Sequence, residues 1–214
     1  VEQPGAPEAV PPGGARPTGR PPLTERRKAA TRLEIAHAAV RLFDARGVAA
    51  TSGAQIAREA GISLRTLWRY FPSKEECVRP LLSAGLEATA ARLRRWPADR
   101  PLSEGLRQDP SALDRTEDAE ALLALVRLLP DEPGLRAVWL SVHRDAEPVF
   151  TGIIAARTGD DPAALTPRVK AVMLNAALRV AAEEWARVAG AEGAQAGAEA
   201  FRHAVLLATG SLAL

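Results

Sequence analysis

Residues 55–74, QIAREAGISLRTLWRYFPSK, constrain this chain more than any other stretch. They read as two short helices joined by a tight turn. Ile56, Ala57 and Ala60 give the first helix an apolar side, and Leu67 and Phe71 give the second one, at the spacing that lines up a single helix face. Gly61 stands where a chain reversing between two helices takes a positive φ, which glycine adopts without steric cost. Ser63 follows, placed to offer its hydroxyl to the free N–H groups of the second helix. A small residue at the crossing (Ala57), a turn glycine (Gly61) and a core anchor (Leu67) have the spacing of a helix-turn-helix. In that motif the second helix enters the major groove of DNA.

The flanks extend this pattern into an all-α chain. A first helix is expected from a cap at Thr24 to about Arg46, with Leu33, Ala36, Val40 and Phe43 on its buried face and Gly47 as its stop. Arg26, Arg27, Lys28 and Arg32 crowd its start, the wrong end for the helix dipole; nearby phosphates or a plain basic face both explain them. His37 has no partner spacing and reads as a surface or packing histidine. Ser52 and Gln55 form a capping box for helix two, and Ser73 and Glu76 a second one opening a helix over 74–96, ended by Trp96-Pro97. Five further helices are expected at about 101–108, 117–129, 132–157, 166–189 and 196–212. Thr116 and Thr166-Pro167 mark starts, Pro130 and Gly159 mark stops, and Pro148 is expected to kink or split the third. No strand-like alternation occurs.

The stretch ATSGAQIAREAGISLRTLWRYFPSKEECV resembles the DNA-binding signature of the tetracycline-repressor (TetR) family of bacterial regulators. The resemblance rests on IAREAGIS, on the Thr66-to-Phe71 block ending in Tyr-Phe, and on the trailing SKEE. It covers roughly residues 23–82; beyond them the chain is similar only in length and helical character. It implies an N-terminal three-helix DNA-binding domain over 23–72 and a C-terminal effector-binding and dimerisation domain over 73–214, about nine helices in all. Residues 1–22, with seven prolines and four glycines, read as a disordered arm. Arg16 and Arg20 either follow a DNA groove or belong to a solvated tail.

Affinity for DNA comes from phosphate contacts and specificity from base edges. Leu64, Arg65 and Thr66 stand at the start of the recognition helix, where base edges are reached. The family often has glycine at the position of Arg65; an arginine there makes a bidentate contact to guanine or pairs with a phosphate. The resemblance assigns Trp68, Tyr70 and Lys74 to the sugar-phosphate backbone, with Trp68 in place of the usual tyrosine. Tyr70 also has a core reading beside Phe71, whereas Lys74 has the least plausible core role. Arg69 reaches backbone or base, and Thr51 and Ser52 add hydroxyl or N–H contacts at the start of helix two. Gly53 departs from the family, which usually has an apolar residue there, and is expected to loosen the contact between helices one and two.

For the C-terminal part the resemblance implies a homodimer through the last two helices, matching a palindromic operator, and a cavity for a small hydrophobic effector; no metal or cofactor is expected. Ala176, Ala177, Ala181 and Ala182 in one helix and Ala196, Ala200, Ala204 and Ala208 in the other let helices approach closely, within one chain or between two. Trp139, His143, Phe150, Met173, Asn175 and Trp185 are the candidate lining residues, being large or polar within apolar helices; each also reads as simple core. The layout after Thr116 is similar to regulators that bind acyl-coenzyme-A-like ligands.

Charge and composition fit this reading. Residues 1–80 hold 13 Lys/Arg against 8 Asp/Glu, and the remainder 15 against 18, so the positive excess lies with the helix-turn-helix. A single cysteine, Cys77, excludes an internal disulfide and suits a reducing cytoplasm. No apolar run approaches the roughly 20 residues of a membrane span, and the first residues lack the apolar core of a signal peptide. Enzyme readings fail on motif. His143-Arg144-Asp145 imitates a kinase tripeptide without its glycine-rich loop, and three scattered histidines make no metal site. The rivals are an activator or nucleoid-associated protein without effector and, in another class, a helical ligand-binding or catalytic protein with a vestigial helix-turn-helix.

Overall fold

The computed structural model describes residues 23–107 and 117–210. The expected arm with Arg16 and Arg20, and the helix start at Thr116, lie outside the described residues. Within them the chain is all-helical: α1 (Leu23–Arg46), α2 (Gly53–Glu59), α3 (Leu64–Tyr70), a 3-10 turn (Glu75–Val78), α4 (Arg79–Arg95), α5 (Leu102–Arg107), α6 (Glu117–Leu128), α7 (Pro133–Thr158), α8 (Leu165–Glu192) and α9 (Ala194–Gly210). None of these helices is long and apolar enough to cross a membrane.

The local signals hold where they act over a few residues. Gly47, Gly61 and Gly159 all take positive φ, at 80°, 66° and 72°. Gly47 ends α1, Gly61 turns α2 into α3, and Gly159 caps α7. Three boundaries differ. Thr24 lies inside α1 and does not cap it. α8 begins at Leu165 from Ala164, with no side-chain cap. The helix expected over 74–96 is a 3-10 turn followed by α4. Pro80 explains this last break: in an uninterrupted helix its missing N–H would orphan the carbonyl of Glu76. Instead Arg79 N–H donates to that carbonyl and Pro80 sits in the first turn of α4, where a missing donor costs nothing. Ser73 Oγ still accepts from Glu76 N at 3.3 Å, but the Glu76 carboxylate turns to Arg79. Pro148 does not split α7, which runs unbroken past it.

Two apolar cores carry the fold. The first joins Ile35, Val40 and Phe43 of α1 to Ile56 of α2 and Leu67 of α3, and continues through Leu81 and Leu82 of α4 into α6 and the start of α7. The second packs Leu93 of α4 and Leu102 and Leu106 of α5 against Phe150 and Ile154 of α7, Leu174 of α8 and Phe201 of α9. Leu86 touches both. Polar ties reinforce the junction. His37, which the sequence left without a partner, is buried in α1 with Nε2 2.6 Å from Asp118 Oδ1 of α6. Arg79 at the start of α4 holds Asp145 and Ser141 of α7 at 3.1 and 3.3 Å.

Candidate nucleic-acid interface and interior cavity

The recognition helix is fixed from both of its ends and from one side. Ser63 Oγ accepts from Thr66 N at 3.1 Å and meets Thr66 Oγ1 at 2.9 Å, so Thr66 serves the cap as well as the exposed surface. Leu67 is fully buried and anchors the inner face. One turn of α3 outward from it, Leu64, Arg65, Trp68 and Arg69 are all exposed. Their i, i+1, i+4, i+5 spacing makes them one stripe. Tyr70 is half-buried, 6.3 Å from the Phe71 ring, with the guanidinium groups of Arg32 and Arg69 at 5.4 and 5.3 Å over its ring. Both its core and its surface readings therefore describe part of its setting. Arg32, from the basic start of α1, is thereby brought onto the recognition helix.

The start of α2 divides the two residues expected there. Ser52 is exposed and forms the complete capping box with Gln55. Thr51 is buried, and its hydroxyl donates to the carbonyls of Gly47 and Leu42 at 2.9 and 3.3 Å. Its N–H donates to the Val48 carbonyl. Thr51 is thus a turn-forming residue, with both donors committed inside the fold. Lys74 also has a structural task that the sequence did not suggest: its ammonium donates to the carbonyls of Val48 and Thr51 at 2.6 and 3.0 Å. It ties the end of α3 to the turn before α2.

Gly53 has a partner that the sequence did not suggest. It is buried, and a Cβ placed on it would overlap Cζ2 and Cη2 of Trp68 and lie 3.2 Å from Cε2. The indole of α3 fills the space that the missing side chain leaves. The two departures at 53 and 68 are one feature: glycine on α2 opens the slot in which the Trp68 ring lies.

Away from this face, a cavity of about 300 Å³ opens between α4, α6, α7, α8 and α9. Of the six candidate lining residues it gathers three, Trp139, His143 and Trp185. Asn175 stands behind His143: His143 Nδ1 and Asn175 Oδ1 are 2.8 Å apart, and Asn175 Nδ2 donates to the His143 carbonyl at 2.7 Å. Phe150 is fully buried in the second core and borders a separate recess of about 180 Å³. Met173 is 45% exposed on α8, turned away from Leu174 and Leu178, and lines a separate recess with Val169 and Val172. Burial lowers the His143 pKa, by disfavouring the charged ring, against a smaller opposing effect of the Asn175 bond. Trp139 meets the imidazole edge-on at a centroid distance of 4.2 Å and donates through Nε1 to Glu183 at 3.1 Å. The Cys77 thiol is buried and its pKa is pushed up to about 12, by desolvation first and by Glu75 and Glu76 next, which leaves it unreactive.

The small residues of α8 and α9 serve the interior in part. A Cβ on Gly197 would come within 2.6 Å of Ala189 Cβ and 2.7 Å of Trp185 Cδ1, so the two helices meet closely within one chain. Ala181 is buried there, whereas Ala176 is exposed. The outer side of α8 carries an apolar stripe of Leu165, Val169, Val172, Met173 and Val180, each 45–72% exposed, and Leu206 and Leu207 of α9 are exposed as well.

Comparison with known proteins decides the family. Residues 35–81 match the family described as bacterial regulatory proteins, tetR family, and residues 101–207 match the MftR C-terminal domain. The chain is 35% identical over 176 residues to the HTH-type transcriptional regulator TcmR of Streptomyces glaucescens, covering 77% of each. The chain belongs to the TetR family of bacterial transcriptional regulators. It is also 30% identical over 165 residues to a Mycobacterium tuberculosis protein carrying the name mycofactocin biosynthesis transcriptional regulator MftR, covering 76% of this chain and 83% of that one. Among solved structures, Thermus thermophilus FadR, a TetR-family repressor in complex with lauroyl-CoA, shares the fold at a TM-score of 0.52 and 24% identity, over 83% of this chain and 92% of that one. These TetR relatives are regulators and not enzymes. Sequence reasoning missed Gly53 as the partner of Trp68, Lys74 as a carbonyl clamp and Arg32 as a neighbour of Tyr70. None of the three has a local signal, since each pairing spans 15 or more residues.

Proposed function

We propose that this TetR-family regulator is a repressor that binds a palindromic operator as a homodimer and is released by a small molecule held in the interior cavity. The observation that carries the DNA-binding part is the exposed stripe Leu64, Arg65, Trp68 and Arg69 on a helix whose opposite side is locked by Leu67. A rigidly held helix with arginines outward can place side chains at base edges in the major groove. The outer apolar stripe of α8, with Leu206 and Leu207 of α9, supports dimerisation, because a patch of this kind is rare on a monomer. The lauroyl-CoA complex of a fold neighbour supports a small-molecule ligand. Release follows from differential affinity: a ligand that prefers one setting of α4 biases the head packed on that helix.

Selection of bound duplexes from a random pool by the purified protein tests this. An enriched palindrome is expected. Arg65→Ala should then lose preference at one base pair per half-site, about 1–3 kcal/mol of discrimination, while keeping the thermal stability of the parent. No enriched sequence, with retention that merely falls with salt, overturns sequence-specific repression.

A further inference from the structure

The interior cavity holds a polar group that an apolar occupant leaves unsatisfied. His143 lines it and is 4% exposed, and its Nε2 is buried with no hydrogen-bond partner among the described residues. The other side of the ring is settled by Asn175. The Asn175 amide nitrogen is committed to the His143 carbonyl, so its oxygen faces Nδ1, and Nδ1 carries the hydrogen. Burial disfavours the imidazolium, which leaves Nε2 with a lone pair and no donor. Native proteins rarely leave such an acceptor unpaired.

The remaining wall narrows the occupant further. Trp139, Trp185 and Phe201 contribute three aromatic rings, and Arg92 and Arg95 of α4 contribute positive charge. Among the described residues no carboxylate lines the cavity. We propose that the cavity takes a compact aromatic ligand that donates a hydroxyl hydrogen bond to His143 Nε2 and turns an anionic group toward Arg95. This rests on the reading of the cavity as an effector site. A saturated acyl chain fills apolar volume but offers Nε2 nothing, and the flat walls suit rings, which stack on indole at low cost in conformational entropy. Nε2 is covered, so the ligand reaches it by shifting a side chain packed on the imidazole; Trp139, edge-on to that ring, is one such neighbour.

The probe is 6-hydroxy-2-naphthoate, compared with 2-naphthoate, its 6-methoxy analogue and lauroyl-CoA, each titrated against the full chain by tryptophan fluorescence. The hydroxyl compound should bind about tenfold tighter than both other naphthoates, since neither of those can donate. In His143→Phe, which keeps a ring and removes the acceptor, that preference should shrink to about twofold or less. The wild-type comparison stands alone if the variant does not fold. Equal binding of the three naphthoates, binding by none of them, or a preference that survives in His143→Phe overturns the proposal. If lauroyl-CoA releases the protein from its selected operator while the naphthoates do not bind, the ligand class fails and the effector reading stands. If 6-hydroxy-2-naphthoate binds with the expected preference and leaves operator affinity unchanged, the ligand class stands and the effector reading fails.

Discussion

The DNA-contact face and the interior cavity are built on opposite plans. The first comes almost whole from one stretch, residues 52–74, in which each turn and cap acts on residues three or four positions away. The second is assembled from residues between Leu82 and Phe201 on five helices. Capping, turning and anchoring are contracts between near neighbours, and the sequence displays both parties. A cavity depends on which faces of distant helices meet, and on whether a polar atom such as His143 Nε2 finds a partner there. The contrast implies that damage to the anchors and turns beneath the face should act through folding of the head, whereas damage to the cavity should act through chemistry.

The strongest way to break that contrast is Leu67→Ala. Leu67 is fully buried at the junction of α3 with α1 and α2. Truncating such a side chain costs about 2–5 kcal/mol. Thermal unfolding should shift accordingly and operator binding should be lost, while fluorescence from the cavity tryptophans still reports ligand at temperatures below unfolding. A loss under about 1 kcal/mol would mean that the recognition helix is not held by this anchor. A simultaneous loss of ligand binding in the folded variant would mean that head and cavity are not separable in the way described.

Gly53→Ala comes next. The new methyl group meets the Trp68 indole, and overpacking of this kind costs about 1–3 kcal/mol. Trp68→Tyr in the same chain should remove most of that cost, since the benzo ring atoms that collide are gone. Unfolding measured for the wild type, both single variants and the double variant closes a double-mutant cycle. Additive effects would show that the glycine and the tryptophan are independent after all. This pair also marks where reading the sequence stops. The resemblance showed that positions 53 and 68 both depart from the family pattern, yet Gly53 was expected to loosen α1 against α2. Only the crossing of α2 and α3 reveals that one departure accommodates the other.

Other structural roles have the same origin. Thr51 and Lys74 are polar residues beside the recognition helix, which makes surface roles natural. Both also satisfy carbonyls in the turn between α1 and α2, because a tight turn exposes acceptors that must be paired. The 3-10 turn before α4 was legible in principle, since Pro80 forbids an uninterrupted helix. His37 found Asp118 across 81 residues, a separation at which periodicity carries no information. In the cavity Trp139, His143 and Trp185 were found because large or polar side chains within apolar helices are unusual. Met173 lies on another side of α8, where it lines a separate recess with Val169 and Val172.

The smallest expected effect is a pH dependence, and it separates the two regions most cleanly. Burial lowers the His143 pKa from its ordinary value of about 6.5. The unfolded chain therefore takes up this proton before the folded one does, and stability falls as the pH drops below about 6.5. Above that value both states hold the ring neutral and the contribution is constant. Melting temperatures measured between pH 8 and pH 5.5 should thus fall more for the wild type than for His143→Phe. Ligand affinity should weaken over the same range, because a protonated Nε2 no longer accepts a hydrogen bond. Residues 51–74 contain no histidine, so an inflection in operator affinity without ligand would arise elsewhere in the head, where His37 meets Asp118. Parallel melting curves for the two proteins would show that His143 titrates alike in both states, which is incompatible with a neutral, buried imidazole beside Asn175.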